Sequence, residues 1–470
     1  MRAVGRDTRS CLEREEESMQ NISIDLLARG ERIKPMNAVN NGPTYPSGGV
    51  RKTPTNFDLF KDAEISFART HDTPFFSGYG NSDFMVDVHR IFRYFDMDEC
   101  DPASYHFETT DKYIANMIAA GVKPFFRLGA SIEHQYKFGT LPPKDNAKWA
   151  RICEHIIRHY NEGWADGFHY DIEYWEIWNE PDTGYKQHNS PTWGGTMDEF
   201  FVFFETTLYY LKEKFPHLKI GGPSMCSVTD SRDIMEDMFT YLGRDGRHAP
   251  LDFFSWHMYG EDVTEFIRKI KLVREFLDGY GYTECENILN EWHYVKGWVG
   301  EEMKYSHKMS KGVKGAAFVA GAMCVGQSED LDMLMYYDAR PCPGWNGLFE
   351  MGTYTPYKSY FVYPIFRDLL HLGTQVPIVY ADDKVYTCCA TDGENYELML
   401  TYFDPEDDAP DRMLALEFKK PAGDYKVEYY LLDESHNREI VREEYFSSED
   451  FKVYLKIKNF SVYDIKITKM

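Results

Sequence analysis

Two glutamates stand where a cleft would need acids. Glu180 follows the apolar run Ile172–Trp178 (IEYWEIW) in the order Asn179-Glu180-Pro181. Glu291 ends the run Asn287–Glu291 and is followed by Trp292, His293 and Tyr294. A carboxylate at the end of an apolar strand is costly unless it is paired, hydrated or used. Other runs end in imidazoles and hydroxyls. His71 closes Ala68–Asp72 (ARTHD), and His257 and Tyr259 close Ser255–Tyr259 (SWHMY). Two carboxyl groups facing one cleft suit cleavage of a glycosidic bond. One must carry a proton for the leaving oxygen, and the other must be ionised to attack or to stabilise a cationic sugar centre. Sharing a cleft separates the two titrations, because charge on one acid raises the proton affinity of the other. His257 and Asn179 can hydrogen-bond to the nucleophile and to the sugar. Tyr294, behind Glu291, is a further candidate for the substrate.

These residues need a frame that brings strand ends together. Short β-rich runs alternate with helical patterns. The expected strands are Arg32–Val39, Ala63–Thr70, Val122–Leu128, Ile172–Trp178, Leu218–Gly221, Leu251–His257, Asn287–Glu291 and Asp332–Tyr337. Helical spacing is expected near Asp111–Ala120, Asn146–Tyr160, Met197–Phe215, Ile234–Leu242, Val263–Tyr280, Lys308–Val325 and Tyr360–Leu372. Repeated strand-helix units with near-continuous apolar strands predict an α/β fold, a (β/α)8 TIM barrel over residues 30–373. In such a barrel, functional groups gather at the C-terminal rim of the strands, where the residues above fall. A doubly wound open sheet would need a glycine-rich phosphate turn after the first strand, and the sequence has none there.

The pattern changes after Gly373. Alternating runs such as YELMLTYFD, MLALEFKK and DYKVEYYLL are joined by polar turns and predict an accessory antiparallel β-sandwich over 374–470. Residues 21–29 are expected to complete it. Residues 1–20 form a polar lead-in, and Met19 is an alternative start.

Composition excludes several partners. The 470 residues carry 52 Lys+Arg against 76 Asp+Glu, a net charge of −24. So acidic a chain, with no basic run, argues against nucleic acid or an anionic membrane surface. No apolar run is long enough to span a bilayer. The lead-in has no secretory apolar segment, and the scattered cysteines have no CxxC spacing, so a cytoplasmic protein with reduced thiols is expected. His155 and His159 lie four apart on a helix, but no glutamate follows in the HExxH manner, so no metal is expected. Gly78-Tyr79-Gly80 is too short a signal for a phosphate site, and no GxSxG elbow is present. No cofactor is expected.

The run Glu176–Asp182 (EIWNEPD) resembles the WNEP(D/N) acid/base motif of glycoside hydrolase clan A. Leu289–Trp292 (LNEW) is similar to the nucleophile segment of that clan's family 39, the family of β-xylosidases and α-L-iduronidases, with Asn290 where Thr is usual. VNNGP at Val39–Pro43 and THD at Thr70–Asp72 are also similar to family segments. The resemblance implies a retaining double displacement on an oligosaccharide or glycoside, with Glu180 as acid/base and Glu291 as nucleophile. It implies that Asn179 binds the hydroxyl beside the anomeric carbon and that His71, His257 and Tyr259 line the cleft. Trp345, in the PGWNG loop, is a candidate stacking face for the sugar. Exo action like that of a β-xylosidase is expected. Endo action, an iduronidase- or arabinosidase-like specificity and a non-catalytic carbohydrate-binding relative stand as alternatives. The resemblance also allows a homo-oligomer.

Overall fold

The structure, a computed structural model, describes residues 20–44, 55–71, 86–342, 344–378, 384–447 and 450–470. The first strand is β1 (Gln20–Asp25). Eight parallel strands then close into a barrel: β2 (Ala38–Asn40), β3 (Phe67–Arg69), β4 (Lys123–Leu128), β5 (Tyr174–Ile177), β6 (Lys219–Met225), β7 (Phe253–Gly260), β8 (Glu286–Tyr294) and β9 (Met333–Tyr336). Closure is made by β9 beside β2, with Met335 opposite Ala38 and Tyr336 opposite Val39. The expected eight-strand order therefore holds. Strand ends shift by a few residues, and β6 and β8 run further toward the rim than their apolar runs suggest.

Inward side chains stack in layers, as parallel barrel strands require. The lower layer is apolar and consists of Ala38, Phe67, Phe125, Tyr174, Phe253, Ile288, Met333 and Met335. One pleat higher, the inward positions become polar: Asn40, Arg69, Arg127, Glu176, Ser255 and Asn290 are all fully buried. A pleat puts every second residue on the same face, so Phe67 and Arg69 point alike, as do Tyr174 and Glu176. Outward residues such as Trp175 and Phe126 pack beneath the surrounding helices, their rings 4.9 Å apart.

Helix ends carry the caps their sequences provide. Asp145 accepts the Lys148 amide at 3.0 Å to start the helix Asn146–Glu162. Thr196 and Glu199 form a reciprocal capping box for Met197–Lys214. The helical stretch expected over Lys308–Val325 divides into Gly300–Met309 and Val313–Ser328. The second of these is buried on nearly every side. Its small residues let two surfaces meet on it: a Cβ at Gly321 would lie 3.1 Å from Val263 and 3.2 Å from Tyr386.

Tyr386 belongs to the second module. There the six-stranded sheet runs β10 (Thr374–Val376), β11 (Val385–Thr391), β12 (Tyr396–Tyr402), β17 (Ser461–Lys469), β14 (Tyr425–Leu432) and β15 (Asn437–Phe446). The three-stranded sheet facing it is β1, β13 (Arg412–Lys419) and β16 (Asp450–Ile457). β1 pairs with β13 in parallel, Ile22 opposite Leu416 and Ile24 opposite Phe418. Ile22, Ile24 and Leu26 join the apolar filling between the sheets.

A buried charge cluster ties this sandwich to the barrel. Asp368, on the helix Val362–Leu372, lies 2.5 Å from Arg438 and 2.7 Å from Lys466. Arg438 also lies 2.8 Å from the buried Asp464. Burial alone would raise the Asp368 pKa, but Lys466 and Arg438 hold it well below the usual carboxylate range. A depressed folded-state pKa contributes stability above the unfolded value, and that stability is lost as pH falls through the folded one. Arg438→Met should therefore cost about 3 kcal/mol near neutral pH, because it strands buried carboxylates. The loss should shrink on acidification, as those carboxylates protonate. Urea unfolding across pH measures both, and a penalty independent of pH would refute the assignment.

Candidate active site

The rim above the polar layer is built on unusual backbone. Trp178, Glu180 and Ser224 have φ of 78°, 48° and 60°, and Asn41 has 63°. Left-handed conformations at non-glycine residues store strain and cluster where side chains must be aimed. At the end of β5 the effect is concrete. Strict alternation would send Trp178 inward after Glu176. Instead Trp178 packs outside the barrel, 5.1 Å from Trp193 and 5.3 Å from Phe203. Asn179 and Glu180, both buried, follow it over the rim. Neighbouring β6 makes room for the turn: Gly222 has φ 138°, and a Cβ there would lie 2.6 Å from the Ile177 carbonyl oxygen.

On β8 the aiming device is a bulge. Against β7 the register runs Trp256 opposite Leu289, then His257 opposite Glu291, so Asn290 is the extra residue. A bulge lets two successive side chains face one side. Asn290 thus enters the polar layer and donates to Ser224 Oγ at 2.8 Å and to Glu176. Glu291 rises beside it into the cleft.

Arg69 joins the two strands. Its Nε donates to Glu176 Oε2 at 2.7 Å and its Nη2 to Asn179 Oδ1 at 2.6 Å. Nη2 also reaches Ser224 Oγ at 2.9 Å. Nη1 reaches Asn40 Oδ1 at 3.1 Å and Glu291 Oε2 at 3.3 Å. None of this guanidinium is exposed.

The two candidate acids come together above it. His257 Nδ1 lies 2.8 Å from Glu180 Oε1, and its Nε2 lies 3.7 Å from Glu291 Oε2. One donor atom from each of Glu180, His257 and Glu291 falls within 4.8 Å of the other two. The trio has residue types that can bind a metal, yet each ring nitrogen of His257 faces a carboxylate oxygen, which makes the imidazole a bridge between acids. Thr183 donates to Glu180 Oε2 at 3.0 Å. His71 Nε2 lies 3.0 Å from Glu291 Oε2, and the Tyr259 hydroxyl donates to Glu291 Oε1. Burial pushes the Glu291 pKa up, but the charges of His257, His71 and Arg69 outweigh it and hold Glu291 well below the usual carboxylate range. Tyr259 is shifted the other way, above the ordinary phenol value, by burial and by the Glu291 charge. It is therefore a standing donor to the carboxylate.

Not every sequence candidate reaches this cluster. Tyr294 does not. It falls on the outward parity of β8 and packs against Phe318, ring centres 5.3 Å apart, with the Lys314 ammonium 5.6 Å above its ring. Tyr294 is thus a packing residue, because three residues on from the inward Glu291 a strand side chain faces outward. Trp345 is half-buried among His307, Trp298 and His293, with ring centres 4.2, 5.1 and 5.7 Å away. His159 is bound to Asp111 and to the Trp164 carbonyl, each at 2.9 Å, and His155 to the Arg151 carbonyl at 2.8 Å. Asp72 and Gly78–Gly80 lie outside the described residues. Sequence reasoning missed Arg69, Glu176, Asn40 and Ser224. For Arg69 and Glu176 the signal was a charged residue within an apolar strand, for Asn40 its place in the VNNGP segment, and for Ser224 there was none.

Comparison with known proteins gives partial matches in sequence and a full-length match in fold. A family model described as Glycosyl hydrolases family 39 matches residues 81–288, which include Glu180 and end just before Glu291. A β-xylosidase of Caldicellulosiruptor saccharolyticus is 27% identical over 171 residues, covering 34% of this chain and 32% of that protein. A β-xylosidase of Geobacillus stearothermophilus is 28% identical over 168 residues, covering 33% and 31%. The chain thus spans about a third of the length of these relatives in the matched region. The crystal structure of a glucosidase from Croceicoccus marinus shares the fold with a TM-score of 0.77 at 21% identity, over 96% of this chain and 99% of that one. With acids at the ends of the fourth and seventh barrel strands, the chain is similar to glycosyl hydrolases of family 39 over residues 81–288 and shares its two-module fold with the glucosidase structure.

Proposed function

We propose that the protein is a retaining, exo-acting glycoside hydrolase of β-xylosidase type. The observation that carries this reading is the meeting of Glu180 and Glu291 around His257, with facing atoms within 4.8 Å. Retaining enzymes hold their carboxyl groups about 5–5.5 Å apart and inverting enzymes about 6.5–9.5 Å; oxygens of the two acids that approach this closely favour the shorter spacing. The roles follow from the surroundings. Glu291, kept ionised by its cationic neighbours, attacks the anomeric carbon. Glu180 gives its proton to the departing oxygen. The glycosyl ester on Glu291 is then attacked by a water that Glu180 deprotonates, and the sugar leaves with its original configuration.

Asn179 suits the transition state. Arg69 occupies its acceptor oxygen at 2.6 Å, which leaves the amide N–H groups to donate to the hydroxyl beside the anomeric carbon. His71 and Tyr259 serve the nucleophile rather than the sugar. The similar β-xylosidases favour xylose, while the glucosidase with the shared fold makes glucose the second reading. The described cysteines are free thiols, which supports a cytoplasmic setting.

Three measurements test this reading. Glu180→Gln should depress turnover of glycosides with poor leaving groups by about a thousandfold, and of activated aryl glycosides far less. Equal, small losses would remove Glu180 from the acid role. NMR of the first-formed sugar should show the substrate's anomeric configuration, and inversion would refute the double displacement. Because the Glu291 pKa is depressed, the acid limb of kcat/KM should lie below pH ~4, the range of an ordinary glutamate. His71→Phe removes one of the groups holding that pKa down and should raise the limb by about one unit. An unmoved limb would show that His71 does not act on the nucleophile.

A further inference from the structure

The turn that aims Glu180 is clamped by a single threonine. Trp178 and Glu180 hold left-handed backbone, a state that persists only where the surroundings over-determine it. Thr192, buried in the loop after β5, grips both ends of that turn. Its carbonyl accepts from Trp178 Nε1 at 3.0 Å, and its hydroxyl donates to the Glu180 carbonyl.

The loop after β4 in turn fixes the chain on either side of Thr192. The Glu133 amide donates to the Pro191 carbonyl at 2.8 Å, and the Gly194 amide donates to the Thr140 carbonyl at 2.8 Å. Within the β4 loop one buried carboxylate gathers the backbone. Glu133 accepts from the N–H groups of Phe138 at 2.7 Å, Gly139 at 3.1 Å and Thr140 at 3.1 Å, and from the Thr140 hydroxyl at 2.8 Å. The Lys137 ammonium goes to the Glu133 carbonyl instead. Burial raises the Glu133 pKa, but the Phe138 and Gly139 amides and Thr140 outweigh it and hold the carboxyl below its usual range. Hydrogen bonds to an ionised carboxylate are roughly twice as strong as neutral ones. Glu291 is held from other elements, by Arg69 on β3, by His71 just beyond it and by Tyr259 on β7.

We propose that Glu133 is a positioning residue for the acid/base: its carboxylate folds residues 133–140 into the support that seats Thr192, and Thr192 holds the Glu180 turn toward the leaving oxygen. The proposal rests on the hydrolase reading above and adds to it a residue that acts through two loops. Its loss should fall on the step that needs the acid, because the nucleophile has separate supports.

Two measurements decide it. Glu133→Gln keeps the side-chain size but places an amide where three N–H groups point. Turnover of glycosides with poor leaving groups should fall about tenfold, and that of activated aryl glycosides, which need little help from an acid, less than about twofold. Thr192→Val, which removes only the hydroxyl and keeps every backbone bond, should show the same imbalance. No loss, or an equal loss on both kinds of substrate, overturns the assignment. Hydrogen exchange followed by mass spectrometry reads the clamp directly. Glu133→Gln should speed exchange in residues 138–140 and also in residues 192–194. Acceleration confined to residues 138–140 would break the link to Thr192 and overturn the assignment as well. Exchange needs no substrate. If the wild type cleaves no glycoside, the hydrolase reading falls, and the exchange pattern still decides whether Glu133 seats Thr192.

Discussion

The site depends on one buried guanidinium. Arg69 points up the barrel axis from β3 with none of its side chain in water. Burying an unpaired charge in such a place would cost several kcal/mol. Glu176, equally buried, supplies the counter-charge at 2.7 Å, and Ser224, Ser255 and Asn290 satisfy the other oxygen of that carboxylate. What remains of the guanidinium's donor set is spent upward, on Asn179 and Glu291. The fixed fork of an arginine turns this into geometry, since one planar group addresses the ends of β5 and β8 together. Lysine could neutralise Glu176 but could not hold both strand ends in a single plane.

That constraint explains why the rim is strained. A regular strand presents alternate side chains to the barrel interior, whereas a catalytic pair needs its acids just above the arginine's reach. β5 solves this with left-handed residues at Trp178 and Glu180, β8 with the bulge at Asn290, and β6 with Ser224 at φ 60°. Each distortion costs of order 1–3 kcal/mol. Each is held by the polar layer beneath, because Asn179, Asn290 and Ser224 all bond to Arg69 or Glu176. Charge network and backbone strain are two sides of one arrangement.

The same arrangement decides what could be read from the sequence. The eight-strand order was legible because parallel strands buried on both faces leave unbroken apolar runs between helical periods. Glu180 and Glu291 stood out because an acid ending such a run is expensive. Ile22, Ile24 and Leu26 alternate along β1 and fill the space between the sandwich sheets. Arg69 was not legible, since Ala-Arg-Thr in a short strand looks like an exposed edge until the barrel closes over it. Tyr294 was misplaced because it was chosen for its nearness to Glu291 in sequence, whereas three residues on from an inward acid a strand side chain faces outward.

His257 shows how the acids can differ while sharing so small a space. Two like charges at this distance cannot both be stable without help. The imidazole between them faces Glu180 with Nδ1 and Glu291 with Nε2, but at unequal distances, 2.8 and 3.7 Å. Glu291 has three other donors to lean on, namely His71, Tyr259 and Arg69. Among the described residues, Glu180 has besides His257 only neutral partners, the hydroxyl of Thr183 and the thiol of Cys226. Positive charge and donors are thus concentrated on one carboxylate, and the asymmetry is built into strand ends rather than into mobile loops. Proton traffic at Glu180 then leaves Glu291 charged, as an attacking carboxylate must be, throughout the approach of the sugar.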